Sequence, residues 1–322
     1  STAGRNSPPL LKLEPKTVKE FELIERYFQQ EKLSWCNEHV ALGIGDDCAV
    51  LNVPSHQQVC ISMDTLIEDV HFPKHANPFD IATRALCVTL SDLAAMGAAP
   101  LGFTLAITLP KAESNWLKDF SQGLITIAQQ YQCPLVGGDT TRGPVLVISI
   151  QVHGLVAKNS ALTRSGACVG DKVYVSGNLG DGAGALPIVL QDPRLKHRDS
   201  NSEMSQHFYR PLPQIKYGQS LMGVASSCLD VSDGLVQDLN HICKKSAVGI
   251  ELNADSIPLS NALLQRYGQT QALQYALTGG DDYQLAYTAK HCEQGIYIGD
   301  VVAGREVSVT GCEMSGAGFQ HF

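Results

Sequence analysis

The chain has 322 residues, 44% hydrophobic and 17% charged, with a formal charge of −8. That length suggests roughly two domains of about 100–200 residues each. The acidic balance and the lack of any basic run exclude nucleic-acid binding through a broad basic surface, and no apolar stretch approaches the roughly 20 residues of a transmembrane helix.

Residues 1–18, which carry Gly, Ser and Pro, read as a flexible tail. Over Glu20–Gln29, apolar residues at Phe21, Leu23, Ile24 and Phe28 predict a short amphipathic helix. CAVLNV and VCISMD read as strands, the second placing Asp64 at a strand end. Asn77 followed by Pro78 fits an N-cap and first helical position, and the helix runs towards Gly97. GFTLAITLP alternates as a strand, Trp116–Tyr131 is helical, CPLVGG is a short buried strand leading into Asp139, and VLVISIQVHGLV alternates over a long strand. The pattern changes around Val156–Gly170, which divides the chain into 19–156 and 157–322. KVYVSG then reads as a strand leading into GNLGDGAGAL and a helix. The polar, Pro-broken stretch 200–213 reads as a surface connection. CLDVSDGL opens as a strand and passes into a helix with Asp233 near its N-terminus, where a carboxylate or bound anion is favoured. LTGGDDYQLAYT joins a Gly turn to a strand, and GIYIGDVV is a further strand. A GGD turn in each half hints at similarly built halves.

Six remote segments, GIGDDCAVL, SMDTL, LSDLAAMG, VGGDTTRG, LDVSDGL and TGGDDYQL, supply nine carboxylates: Asp46, Asp47, Asp64, Asp92, Asp139, Asp230, Asp233, Asp281 and Asp282. Packed together they would repel unless cations sat between them. Hard oxygen donors without thiolate or His pairs favour Mg²⁺, which usually bridges carboxylates to substrate phosphates. Asp92 shares a helix face with Ile81, Ala85 and Val88, so its carboxylate points where apolar residues point and needs a partner, a metal or a neighbouring loop. VGGDTTRG and SGNLGDGAG could each bring backbone N–H groups to phosphate, although a Gly-rich turn is more often only a turn. The first also carries Arg142, suited to a phosphate. His71, seven residues after Asp64, is either structural or a substrate contact. No P-loop, HExxH or GxSxG is present. Ten cysteines without a CxxC pair read as reduced, mostly buried thiols of a cytoplasmic protein.

The ordered set FELIERYF, GIGDDCAVL, DTLIEDVHF, LSDLAAMGAAP, GGDTTRGP, LTRSGACVGD, LDVSDGL and GGDDYQL resembles the thiamine-monophosphate kinase family, from FELIERYF to the terminal GFQHF. The resemblance implies a two-domain α/β fold of the aminoimidazole-ribonucleotide synthetase type, with mixed sheets flanked by helices and no P-loop. It implies transfer of the ATP γ-phosphoryl group to thiamine monophosphate, and a homodimer formed by the N-terminal, ATP- and Mg²⁺-binding domain. Asp47, Asp64, Asp92, Asp139 and Asp230 would hold a Mg²⁺ cluster, and Asp233 a further metal. Ser232, Gly138, Asp139 and Arg164 would serve ATP, while His71, Asp281 and Phe319 would line the acceptor pocket, Phe319 by stacking on a cationic ring. Asp46 and Asp282 are left as supporting residues. Two positions depart from the common pattern. Met63 replaces a Thr, leaving its carbonyl and Ser62 as donors, and GGDD replaces GGED, making Asp281 one methylene shorter.

Direct in-line attack by the acceptor phosphate needs no general base, because that oxygen is largely ionised near neutral pH. Sister enzymes of the superfamily fit less well. Selenophosphate synthetase would want a reactive Cys with a Lys in a Gly-rich N-terminal loop, and the hydrogenase-maturation dehydratase a C-terminal Cys. A calcium-loop protein would want DxDxDG spacing. A metal-dependent phosphatase is the alternative least excluded.

Overall fold

The computed structural model describes residues 20–74, 76–191 and 203–312. Phe319 and the tail over 1–18 lie outside them. The helix expected over 20–29 begins as α1 (Glu20–Leu23) and widens at once into a π-helical turn, Ile24–Phe28. The wider turn gathers Leu23, Tyr27 and Phe28 on one buried side. β1 (Val40–Leu42) and β2 (Val50–Leu51) make a small antiparallel ribbon, so the strand expected from CAVLNV shortens to two residues.

Four long strands follow: β3 (Gln57–Ile67), β4 (Ala99–Leu109), β5 (Leu135–Arg142) and β6 (Val147–Ala157). They form one mixed sheet in the order β3-β6-β4-β5. Two aspartates expected at or beyond strand ends lie within strands. Asp64 lies inside β3, because pairing with β6 continues to Ile67, and Asp139 lies inside β5, because pairing with β4 continues to Arg142. In both cases β-branched Thr residues after the aspartate extend the strand. Register places Asp64, Ile150, Leu105 and Gly138 in one cross-strand row and Thr65, Ser149, Ala106 and Asp139 in the next. Successive residues face opposite sides of a sheet. Asp64 therefore faces the helical side and Asp139 the open side, where Ile61 and Met63 are each 60% exposed.

The helical side is covered by α2 (Pro78–Ala95), on which α3 (Ser114–Tyr131) packs in turn. Asn77 caps α2 as expected, its Oδ1 accepting from Phe79 N at 2.9 Å, and Pro78 takes the first position. Helix α2 is buried on nearly every side, from Ile81 to Ser91 without interruption. A helix placed between a sheet and further elements has no solvent face, so its sequence is largely apolar, and its polar residues Thr83, Arg84, Thr89 and Ser91 are buried with the rest.

The second half holds β7 (Lys172–Val175), α4 (Asp181–Gln191), α5 (Glu203–Tyr209), α6 (Ile215–Ser220), β8 (Ser227–Asp230), α7 (Leu235–Ser246), β9 (Gly249–Asn253), α8 (Asn261–Thr278), β10 (Leu285–Ala289), β11 (Ile296–Val302) and β12 (Val307–Thr310). Its strands form a second mixed sheet, β12-β9-β11-β7-β10-β8, in which the β12–β9 pair is parallel and the others antiparallel. The two sheets differ in size and order, and one GGD sits in a strand, the other in a loop, so the hinted similarity of the halves does not extend to their sheets. The stretch expected as a surface connection over 200–213 contains α5 instead, which buries Met204, Phe208 and Tyr209. Met204 and Phe208 are four residues apart, which gives one helical face within a polar segment. A continuous apolar cluster runs from α2 and the first sheet to Ile215, Cys228, Leu285 and Tyr287, joining the two halves.

Candidate active site

A cleft of about 1060 Å³ opens between the halves. β3 contributes Met63 and Asp64, the following loop His71, α2 Val88 and Asp92, the β8–α7 loop Asp230, Ser232 and Asp233, and the α8–β10 loop Gly280 and Asp281. The last two loops are bonded backbone to backbone. Asp281 N donates to Ser232 O at 2.9 Å, Tyr283 N to Val231 O at 2.8 Å, and Val231 N to Gln284 O at 2.8 Å. This close approach explains the glycine before Asp281, since a Cβ on Gly280 would stand 2.2 Å from the Ser232 carbonyl oxygen.

Asp64, Asp92 and Asp230 line the floor of the cleft, and the last two each accept from a serine hydroxyl. Ser62 Oγ donates to Asp92 Oδ2 at 2.5 Å and Ser91 Oγ donates to Asp230 Oδ2 at 2.7 Å, while the Thr89 hydroxyl donates to the Ala85 carbonyl at 2.9 Å. Burial, then the neighbouring Asp92 charge, pushes Asp230 up to about 8 and Asp64 to about 6. Burial also raises Asp92, partly offset by the Ser62 hydroxyl and the Arg164 charge. Among the described residues no three His, Cys, Asp or Glu side chains close to metal-binding distance of one another. The three carboxylates nevertheless offer only hard oxygen donors and repel one another, an arrangement that a divalent cation relieves.

Two Gly-bearing turns of the second half are filled by the chain's own carboxylates. Asp238 Oδ2 accepts from the backbone N of Ser232, Asp233 and Gly234 at 2.9, 3.0 and 3.2 Å, and so occupies the N-terminus of α7. Burial raises Asp238 to about 7. Asp282, fully buried, accepts from Gly180 N at 2.8 Å and Gly182 N at 3.2 Å at the start of α4. The GNLGDGAG loop is therefore a self-capped turn, and Asp282 is a supporting residue as expected.

The outer wall carries a buried cation that sequence reading passed over. Arg84 Nη2 meets Asp281 Oδ1 at 2.7 Å. Tyr283 Oη donates to the same oxygen at 3.0 Å. His71 Nδ1 accepts from Ile67 N at 3.0 Å, which places the proton of a neutral imidazole on Nε2.

Other expected residues lie apart from this lining. Asp47 is exposed in the β1–β2 loop, where its N donates to Asp46 Oδ1 at 3.2 Å. Gly138 and Asp139 lie three strands from β3, about 14 Å at the usual strand spacing. A Cβ on Gly138 would meet the Leu105 carbonyl oxygen at 2.0 Å, so packing against β4 already requires that glycine. Arg142 is exposed at the end of β5. Arg164 is exposed, and Ser246 Oγ donates to its carbonyl at 3.2 Å while accepting from Gly166 N and Ala167 N at 3.1 and 3.2 Å. Sequence reading missed Arg84, Thr89, Ser91, Asp238 and Tyr283. One signal was available: Arg84 is a lone charge inside the apolar run IATRALCV.

A two-domain α/β chain with an acidic cleft between its halves matches a known class. The family model of AIR synthase related protein, N-terminal domain, covers residues 45–156, and that of the C-terminal domain covers 169–311. The thiamine-monophosphate kinase of Haemophilus influenzae is 45% identical over 269 residues, 84% of this chain and 81% of that one. The crystal structure of thiamine-monophosphate kinase from Stenotrophomonas maltophilia K279a superposes with a TM-score of 0.80 at 39% identity, covering 85% of this chain and 92% of that one. A solved structure of AaThiL complexed with AMPPCP and TMP gives 0.75 at 30% identity, covering 94% and 97%. The fold is that of the AIR synthase related proteins, and within them the chain belongs to the thiamine-monophosphate kinase family.

Proposed function

We infer that this chain phosphorylates thiamine monophosphate to thiamine diphosphate with ATP. The observation that carries the reading is the cleft between the halves, in which carboxylates suited to a metal–phosphate assembly and a wall with Asp281 and His71 face one another, in a chain 45% identical to a thiamine-monophosphate kinase. Asp64, Asp92, Asp230 and Asp233 would hold Mg²⁺, with Asp47, Asp139, Ser62 and the Met63 carbonyl as further donors by family pattern. Bound there, the ion neutralises phosphate charge and so lowers the barrier to transfer. By the family pattern Ser232, Gly138, Asp139 and Arg164 would serve the nucleotide, the last three from outside the cleft lining, and His71, Asp281 and Phe319 the acceptor.

The chain's own residues position and screen. Helix α2 and the interlocked loops fix the floor, and the apolar cluster behind it keeps water out. The acceptor phosphate is itself the nucleophile, its second pKa being about 6 by analogy with phosphoserine, so no side chain need take a proton. Attack is direct and in line. Inversion at a chirally labelled γ-phosphorus is expected, and net retention would contradict it by requiring a phosphoenzyme. Incubation with MgATP, with and without thiamine monophosphate, tests the reaction itself. Thiamine diphosphate should form only with both substrates, whereas release of free phosphate alone would indicate a metal-dependent phosphatase.

The open face of the first sheet, with Ile61 and Met63 prominent, is the surface on which a second copy would dock to form the homodimer. All ten cysteines are free thiols, in keeping with a reducing, cytoplasmic setting. No described helix is long and apolar enough to cross a membrane.

A further inference from the structure

Arg84 is a mid-helix guanidinium on α2 with only 5% of its side chain exposed. It engages four partners from three other segments. Nε donates to the His71 carbonyl at 3.2 Å, Nη1 to the Phe208 carbonyl at 2.7 Å, and Nη2 to Asp281 Oδ1 at 2.7 Å. Its Cζ also lies 3.9 Å from the Phe208 ring centroid. One side chain thus ties the loop after β3, helix α5 and the α8–β10 loop to α2, across both halves of the molecule. Asp281 and Tyr283 adopt left-handed backbone conformations, φ 68° and 52°, which non-glycine residues keep only when their surroundings hold them. Among the described residues, both hydrogen bonds to the Asp281 carboxylate, from Arg84 and from Tyr283, land on Oδ1. Oδ2 is left to accept from a donor in the cleft.

We propose that Arg84 is the positioning residue of the acceptor pocket, aiming Asp281 Oδ2 and the His71 segment at an acceptor with an N–H or amino donor. Its reach is also what allows the shorter aspartate to serve where the family pattern has glutamate. The inference rests on the kinase reading above. A guanidinium fork is fixed and multidentate, whereas an ammonium is a point charge on a shorter stem. Arg84→Lys therefore cannot serve all its acceptors, and Asp281 loses its aim. Adding back one methylene with Asp281→Glu should restore the contact.

The test is steady-state kinetics of the full chain, varying thiamine monophosphate and ATP separately, for wild type, Arg84→Lys, Arg84→Met and Arg84→Lys/Asp281→Glu. Arg84→Lys is expected to raise KM for thiamine monophosphate about tenfold or more, the loss of one charge-assisted hydrogen bond, with KM for ATP unchanged. The double variant should recover most of that loss. Arg84→Met strands a partly buried carboxylate and two carbonyls, so it can fail to fold; the Lys variant keeps the charge and decides the matter. Equal changes in both KM values, a fall in kcat alone, or no rescue by Asp281→Glu would overturn the positioning role while leaving the kinase reading intact. A wild-type protein that makes no thiamine diphosphate would overturn both.

Discussion

Asp92 is held from two sides, by the Ser62 hydroxyl and by the field of Arg164, while burial works against its charge. Asp92→Asn keeps the shape and removes the charge, so a folded protein with turnover reduced about 100-fold or more is expected. Normal turnover at ordinary Mg²⁺ would remove Asp92 from the site. The raised carboxylates also make the metal-free protein sensitive to pH. Asp64 and Asp230, up to about 6 and about 8 from an ordinary 3.8, bind protons in the folded state that the unfolded chain has already released. Stability then falls as pH rises between about 4 and 8, because the folded state carries more protons there. Thermal melts of metal-free protein should show that decline, and Asp230→Asn should flatten it. Mg²⁺ should raise the melting temperature most at the alkaline end.

At the scale of elements, α2 organises the site, since it presents Arg84, Val88 and Asp92 to the cleft and, through the buried Ser91, holds Asp230. Asn77→Ala should cost about 1 kcal/mol by loss of its cap, and Leu90→Ala about 2–5 kcal/mol by leaving a hole in the core, both measured by denaturant unfolding. The self-capped loops matter as much. Asp282→Ala would strand the Gly180 and Gly182 amides, at about 1–3 kcal/mol for each orphaned group. Strand alternation, the Asn77–Pro78 cap and the ordered Asp motifs were legible in the sequence because they depend on neighbours in the chain. Arg84 with Asp281, Ser91 with Asp230, and Asp238 under its three amides depend on tertiary meeting or on loop geometry, and no local spacing announces them. The motif GGD was read twice as a turn. In VGGDTTRG, pairing with β4 turns it into strand.

For the molecule as a whole, the register divides the acidic motifs between two sides of one sheet. Asp64, Asp92 and Asp230 lie in the cleft, while Asp139 shares the open face with Ile61 and Met63. A dimer built on that face should be broken by Ile61→Glu, which places a charge in an apolar contact. Sedimentation should then show a monomer, and an unchanged mass would move the interface elsewhere. Phosphoryl transfer between two phosphates in the cleft is the central step. It is tested most directly by supplying ATP labelled in its γ-phosphate together with thiamine monophosphate and Mg²⁺, and by following the label. Recovery in the terminal phosphate of thiamine diphosphate, one for each ADP formed, is the predicted result. Label found only as inorganic phosphate, at the same rate with or without the acceptor, would contradict it.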